Sequence, residues 1–437
     1  MTMPSDSFCV YPWMHLFADE GGLMYPCCRS VGSKRPNVGD DGAPLHVQDA
    51  DGIARGWNSA YMRTIRRDML EGRRPVPCER CYMYDDLGMR SHRQDINDEY
   101  AGRVPEFVAA TAADGSAPLD LRSVDLRLGN VCNLRCRMCS PQSSKALIGE
   151  FAAAARIPPT HHVFDAYRRM EWFVGDAFWD VFEKHTPHIE RLHFAGGEPL
   201  IIPEMFDFLA RLVRSGRAGG ISLSYNTNLS VLPERVYELW PAFRSVRVTV
   251  SVDGAGPVNE FIRFPSDWSA IDRHIRALEA DYDRLNLSGG LAFNTTVQIY
   301  NVLRLGDLLE YLVDTTTRAE APNLSVLSSP RHLSIQALTP ALKAEAAARL
   351  TDVMTRLEPR WPARWRGAEL DALRASVAGI IEHMDEKDQT GVLREFRHWT
   401  AVQDQHRGQH TLECLPELAP LFEPASSREA AGGSVAR

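Results

Sequence analysis

The segment Ser123-Val-Asp-Leu-Arg-Leu-Gly-Asn-Val-Cys132-Asn-Leu-Arg-Cys136-Arg-Met-Cys139 runs from an extended element straight into a thiol-rich loop. Residues 123–128 alternate apolar and polar side chains, the pattern of a half-buried β-strand. The loop that follows places Cys132, Cys136 and Cys139 at CxxxCxxC spacing. Three thiolates on one short loop can hold three irons of a [4Fe–4S] cluster and leave the fourth open to an external ligand. A strand ending in such a loop suits a barrel, because barrel active sites sit in the loops after the strands. A structural zinc site or three unrelated buried thiols are the plainer alternatives. Zinc would ask for a fourth Cys or His nearby, and none follows in the loop.

Downstream, the pattern continues as short apolar strands at 189–194, 221–225, 245–251, 291–298 and 332–338. Helical periodicity lies between them at 203–215, 233–240 and 268–280. Strands alternating with helices imply βαβ units and a parallel sheet. Six units predict an α/β fold, a partial (β/α)6 TIM-type barrel, with an added helix at 165–183 in the long first crossover. From about Thr339 the chain is rich in Ala, Leu, Arg and Glu and reads as helical. The first hundred residues are rich in Gly, Pro, Arg and Cys, with one helix predicted at 59–70. The expected organisation is an N-terminal domain at 1–107, a turn-rich linker at 108–118, the barrel at 119–338, a helical region at 339–425 and a disordered tail at 426–437.

The 437 residues are 44% hydrophobic and 24% charged, an ordinary globular balance, and the net charge of −8 gives no basic footprint for nucleic acid. Local basic groups (Arg63, Arg66, Arg67, Arg73, Arg74) sit among acids and read as solvated faces. The first ten residues lack a basic region followed by an apolar stretch, and no run of eighteen apolar residues occurs. The expectation is a cytoplasmic protein without membrane or nucleic-acid partners. Nine cysteines fall at 9, 27, 28, 78, 81, 132, 136, 139 and 414. Tight grouping and an odd number favour metal binding over a disulfide framework.

Ala195-Gly196-Gly197-Glu198-Pro199 follows the second predicted strand. Two glycines let a backbone approach a ligand closely, and a carboxylate pairs with an ammonium, although such a turn is ordinary by itself. The third strand ends in Asn226-Thr227-Asn228, and the fourth in Ser251-Val252-Asp253-Gly254, with Glu260 and Arg263 beyond. The cysteine loop and the Gly-Gly-Glu turn one strand later resemble the radical S-adenosylmethionine (radical SAM) superfamily. That resemblance implies a catalytic [4Fe–4S] cluster on Cys132, Cys136 and Cys139, with SAM bound at its open iron through amino and carboxylate groups. One electron then cleaves SAM to methionine and a 5′-deoxyadenosyl radical. It further implies Gly196, Gly197 and Glu198 at the SAM amino group, Ser251 and Asp253 on the ribose side, Arg263 at the carboxylate, and Asn226 as another cofactor-side residue. Many members carry an aromatic before the last cysteine; Met138 stands there in this chain and can pack on adenine. A plain turn at Asp253-Gly254 and a surface salt bridge for Arg263 are the alternatives. Asn294, Gln298, Asn301 and Ile335 are further candidates.

Cys9 and Cys27 enclose Pro12-Trp13 and Gly22, while Cys78-Glu-Arg-Cys81 forms a second pair about fifty residues on. Two such pairs can make a four-thiolate site for zinc or a [4Fe–4S] cluster. They resemble the auxiliary-cluster modules called SPASM and twitch, in the arrangement that puts a twitch domain before the barrel. The resemblance implies Cys9, Cys27, Cys78 and Cys81 as ligands of an auxiliary cluster, with Cys28 as the alternative to Cys27. The basic turn at 88–93 is read either as a holder of substrate carboxylate or cluster charge, or as a solvated helix start. His15 and His193 are read as packed or hydrogen-bonded, and Cys414 as a structural thiol.

The chemistry implied by the resemblance is hydrogen abstraction from a peptide or amino-acid-derived substrate, with a flavodoxin- or ferredoxin-type reductase as electron donor. A carbohydrate or other natural-product intermediate is the alternative substrate. A non-catalytic iron–sulfur or zinc scaffold, and a methyltransferase, are the readings from other classes.

Overall fold

Alternation of polar and apolar side chains along consecutive strands gives this protein a sheet with two unlike faces. The computed structural model describes residues 3–49 and 51–423. Its strands are β1 (His15–Ala18), β2 (Met24–Tyr25), β3 (Ser123–Leu128), β4 (Arg191–Gly196), β5 (Ser222–Thr227), β6 (Ser245–Ser251), β7 (Gly290–Val297) and β8 (Asn323–Val326). They form one sheet in the order β2-β1-β3-β4-β5-β6-β7-β8. All neighbours from β1 to β8 are parallel, and β2 pairs antiparallel with β1. The architecture is mixed α/β with a mostly parallel sheet, consistent with a partial TIM barrel.

Val124, Leu126, Leu192, Phe194, Leu223, Tyr225, Val246, Val248 and Val250 are buried on the helix-facing side, in the main hydrophobic core. The alternate positions carry Asp125, Arg127, His193, Ser224, Asn226, Thr249 and Ser251. Register aligns them: Asp125 lies opposite His193, and His193 opposite Ser224. Parallel strands covered on both faces read as continuous apolar runs. The alternation here marks an inner face left for polar groups.

The first hundred residues share this sheet, since His15 to Ala18 pair in register with Ser123 to Leu126. Helix Ala60–Leu70 starts at Ser59, whose hydroxyl accepts from Met62 N at 3.4 Å. The segment 108–118, expected as a linker, is packed: Trp57 Nε1 donates to Ala117 O at 3.1 Å and Arg66 Nη1 to Gly115 O at 3.3 Å.

Two sequence expectations need correction. Residues 332–338 are not a strand but two short 3-10 turns, Arg331–Leu333 and Ile335–Ala337, the second capped by Ser334 accepting from Gln336 N. Ile335 is simply core, because its apolar neighbours pack against the C-terminal helices, and the sixth barrel strand is β8. The helix expected at 165–183 is interrupted at Gly175 (φ 83°) and appears as Asp165–Arg168 and Asp176–His185. Helices Pro340–Leu357, Ala368–Glu386 and Leu393–Arg407 make up most of the C-terminal region. The tail expectation at 426–437 lies outside the described residues. Among the described residues no helix is long and apolar enough to cross a membrane.

Candidate active site at the cysteine loop

The cysteine loop leaves β3 through Gly129 (φ 56°), where a Cβ would meet Met170 O at 2.0 Å. The turn after β4 lies directly on this loop. Gly197 N donates to Gly129 O at 3.0 Å and Glu198 N to Val131 O at 2.9 Å. A Cβ on Gly197 would stand 2.1 Å from Val131 O. The close approach that needs glycine is therefore between two loops. Gly197→Ala is expected to cost about 1–3 kcal/mol through overpacking, read as a lower urea midpoint; an unchanged midpoint would contradict this packing account. On its other side the loop is tied by Arg135 N to Phe264 O (2.6 Å) and Arg137 N to Ile262 O (2.8 Å).

Cys132, Cys136 and Cys139 line one cavity of about 280 Å³, together with Met138, Gly196, Gly197, Asn226, Ser251 and Arg263. Arg263 Nη1 lies 3.9 Å from Cys136 Sγ. Its Nε lies 2.7 Å from Asp253 Oδ2, and Asp253 Oδ1 accepts from Thr296 N at 2.8 Å. Asp253 is fully buried behind the lining. Burial raises its carboxyl against the opposing pull of Arg263. The hydrogen-bonded Cys139 thiol, and then the Arg263 guanidinium, lower Cys136, while Cys139 is raised. Three thiols with the cations Arg127 and Arg263 in one cavity fit an anionic iron–sulfur group.

Glu198 also sits behind the lining, 1% exposed. Its carboxylate accepts from Thr227 Oγ1 and Asn228 N, each at 2.7 Å, and from Leu200 N at 3.0 Å. It thereby joins the ends of β4 and β5. Burial pushes this carboxyl up from 4.5 to about 7 despite those donors. Below 4.5 both folded and unfolded states hold the proton; between 4.5 and about 7 the unfolded state releases it first. Stability of the metal-free protein is expected to fall as pH rises through that window. A Glu198→Gln chain should lack this slope in urea midpoints, and an identical slope would contradict the assignment. Asn301 donates to Asp253 O and Thr296 O, both at 2.9 Å, and braces the β6–β7 ends. Gln298 is buried, and Asn294 accepts from Asn323 Nδ2 at 2.7 Å.

Sequence reasoning missed the residues behind the loop. The Arg137 side chain is wholly buried, with its guanidinium 3.7 Å from the Phe261 ring centroid and paired with Asp404 at 2.5 Å. Gln403 Nε2 donates to Arg137 O at 3.3 Å. Arg407 grips Glu150 through two bonds of 3.0 and 2.7 Å, both side chains buried. Helix Leu393–Arg407 thus clamps the loop from outside. The available signal was Arg137 itself, a charge between two cysteines that demands a counter-ion.

In the N-terminal region Cys9, Cys27 and Cys78 pack on a second core around Phe8, Trp13, Met62 and Met69, and Cys81 is buried. Burial first, then the neighbouring thiolates of Cys27, Cys9 and Cys81, raise Cys78. Burial likewise pushes Cys9 up to about 12, with Cys81 adding to it. Cys28 has different neighbours: after burial, its shift comes from Asp125, against Arg127 and Arg29. Cys9, Cys27, Cys78 and Cys81 thus lie near enough to raise one another's thiols, and Cys27 also feels Cys28. Among the described residues no three Cys, His, Asp or Glu close on one ion position. A multi-iron group, whose thiolates bind separate irons, asks for no such convergence.

Arg93 is engaged by Asp85 (2.6 Å) and Phe8 O (2.8 Å), and exposed Arg90 pairs with Asp95 (2.6 Å). The basic turn at 88–93 is therefore internally neutralised. His15 stacks on Tyr11 and bonds Ser123 Oγ at 2.9 Å; His193 bonds Ser224 Oγ at 2.8 Å. Cys414 contacts Pro257 O at 3.6 Å, away from both thiol groups.

No curated protein matches the sequence. Among solved structures, anSMEcpe with bound AdoMet and Cp18Cys peptide is 14% identical at a TM-score of 0.32, covering 54% of this chain and 58% of that one. SuiB of Streptococcus suis bound to S-adenosylmethionine is 9% identical at a TM-score of 0.34, covering 82% and 70%. TYW1 with a lysine-pyruvate adduct is 13% identical at a TM-score of 0.27, covering 53% and 70%. Residues 126–295, from β3 to β7, match the family described as the Radical SAM superfamily. That stretch, which holds Cys132, Cys136, Cys139 and Glu198, is what this chain shares with the Radical SAM superfamily.

Proposed function

We propose that this enzyme reductively cleaves SAM at a [4Fe–4S] cluster on Cys132, Cys136 and Cys139 and abstracts hydrogen from a peptide or amino-acid-derived substrate. The observation that carries it is the single cavity shared by the three thiols, Met138, the strand-end residues Asn226 and Ser251, and Arg263, 3.9 Å from Cys136. When bound, the cluster and SAM supply a 5′-deoxyadenosyl radical. The chain's own residues hold and tune that site. Arg263, aimed by buried Asp253, offsets thiolate charge and offers a fork to a carboxylate. Glu198 fixes the ends of β4 and β5 beneath the cavity, and Gly196 and Gly197 seat the turn on the loop.

A second [4Fe–4S] cluster on Cys9, Cys27, Cys78 and Cys81 is proposed to accept an electron from substrate or to position it, within an N-terminal twitch-like unit at 1–107. The grouped thiols and the separate core beneath them support this. The barrel at 119–338 and the helical region at 339–425 complete the proposed organisation, with a flavodoxin or ferredoxin as electron donor.

The test is product analysis after anaerobic reconstitution, with SAM and dithionite. 5′-Deoxyadenosine with methionine is expected. S-Adenosylhomocysteine would instead identify a methyl donor, and no product from iron-loaded protein a scaffold. Replacing Cys9, Cys27, Cys78 and Cys81 by Ala is expected to remove about four of about eight irons. Bound zinc in place of that iron would refute the auxiliary cluster alone.

A further inference from the structure

The inner face of the barrel carries charges that the cofactor site does not use. Arg127 lines the cavity, and Asp125 lies two residues back on the same strand face. His193 stands opposite Asp125 across the β3–β4 register, fixed by its bond to Ser224. Asp125 is 6% exposed. Arg127 Nη2 donates one long bond to Asp125 Oδ2 at 3.4 Å, whereas Arg127 Nε and Asp125 Oδ1, 3.3 Å apart, are out of alignment and neither of these two buried atoms has a hydrogen-bond partner. A buried polar atom left without a partner costs about 1–3 kcal/mol, and such atoms call for an explanation in each case.

We propose that Asp125 and Arg127 form the substrate-holding wall of this enzyme and that it takes a zwitterionic α-amino-acid head, ammonium on Asp125 and carboxylate on Arg127. The proposal rests on the radical SAM reading above and narrows its substrate class. A carboxylate acceptor and a guanidinium fork each find their strongest complement in an ionised partner. The two groups stand 3.3 Å apart, so the ligand's opposite charges must also stand side by side, as they do on one α-carbon. A peptide interior carries neither charge, and an ω-amino acid separates them too widely. Arg127 is steadied by the Phe17 ring, 5.5 Å below its guanidinium carbon, so its head is presented to the cavity by packing from β1. The methionyl group of SAM has its own candidate partner in Arg263, 3.9 Å from Cys136 Sγ. Burial also lowers His193, leaving it neutral beside the pair as a hydrogen-bonding rather than a competing charge.

The test uses the iron-loaded enzyme with SAM and dithionite and, as probes, the twenty L-amino acids with their N-acetyl and carboxamide derivatives. Stimulated SAM cleavage is read together with deuterium transfer from perdeuterated probe into 5′-deoxyadenosine. At least one free amino acid is expected to stimulate cleavage and deliver deuterium, with either blocked derivative weaker by about tenfold or more in KM. Asp125→Asn is expected to narrow the penalty on the N-acetyl form, and Arg127→Gln that on the carboxamide. A purely structural role would change both forms alike and leave each ratio intact. No stimulation by any of the twenty, equal response to blocked forms, or a raised KM for SAM in place of the amino acid would overturn the proposal. 5′-Deoxyadenosine formed without substrate would show that the radical reading survives such a failure; none under any condition would remove both.

Discussion

Replacing Cys132, Cys136 and Cys139 together by Ala is expected to remove about four irons per chain and reduce SAM cleavage to background. The expected loss is total because these three thiols are the ligands proposed to hold the catalytic cluster. Removing a general acid or base typically leaves a residue of activity, since that contribution is about 10²–10⁴-fold. Removing the metal site removes the electron's route to SAM. The remaining iron should stay, because Cys9, Cys27 and Cys78 pack on a core distinct from the barrel's. Iron unchanged in the triple variant would contradict the assignment. Loss of all iron would show instead that the two thiol groups do not load independently.

The second large effect is expected behind the loop. Glu150 and Arg407 are joined by bonds of 3.0 and 2.7 Å with almost no solvent contact, and Arg135 lies 3.3 Å from the same carboxylate. Removing one partner of a buried pair leaves the other charge uncompensated and costs about 3–5 kcal/mol. That is a large share of the roughly 5–15 kcal/mol that holds a typical domain together. Arg407→Met is therefore expected to lower the urea midpoint sharply and to shorten the lifetime of the loop's cluster against chelator. A Glu150→Met, Arg407→Met double variant should recover much of the midpoint, since no lone charge remains. If both single variants unfold at the wild-type midpoint, helix Leu393–Arg407 is not a brace for the loop.

Much of the barrel was legible in the sequence because each strand on it carries its own alternation. Residues 123–128 and 245–251 are strands to the residue, and helix Trp268–Ala280 has the bounds that its periodicity predicts. The three loop cysteines, Met138, Gly196, Gly197, Asn226, Ser251 and Arg263 share one cavity, while Glu198 and Asp253 sit behind it. What escaped was set by contacts distant in sequence. Nothing local in His15–Ala18 announces a strand that pairs with one a hundred residues later. Nothing local in 332–338 reveals that Ser334 caps a turn there instead of extending a strand. Arg137 and Asp404 meet across 267 residues. The choice between Cys27 and Cys28 depends on surroundings that spacing does not carry: Asp125, Arg127 and Arg29 act on Cys28, while Cys9 and Cys81 act on Cys27.

The central claim is that SAM binds the cluster held by the cysteine loop. Its most direct measurement is electron–nuclear double resonance on the reduced enzyme with SAM labelled with ¹⁵N at the amino group and ¹⁷O at the carboxylate. The account predicts hyperfine coupling of both labels to a reduced [4Fe–4S] cluster, lost in the Cys132, Cys136, Cys139 triple variant. A fully iron-loaded, reduced enzyme that binds labelled SAM without either coupling would contradict it.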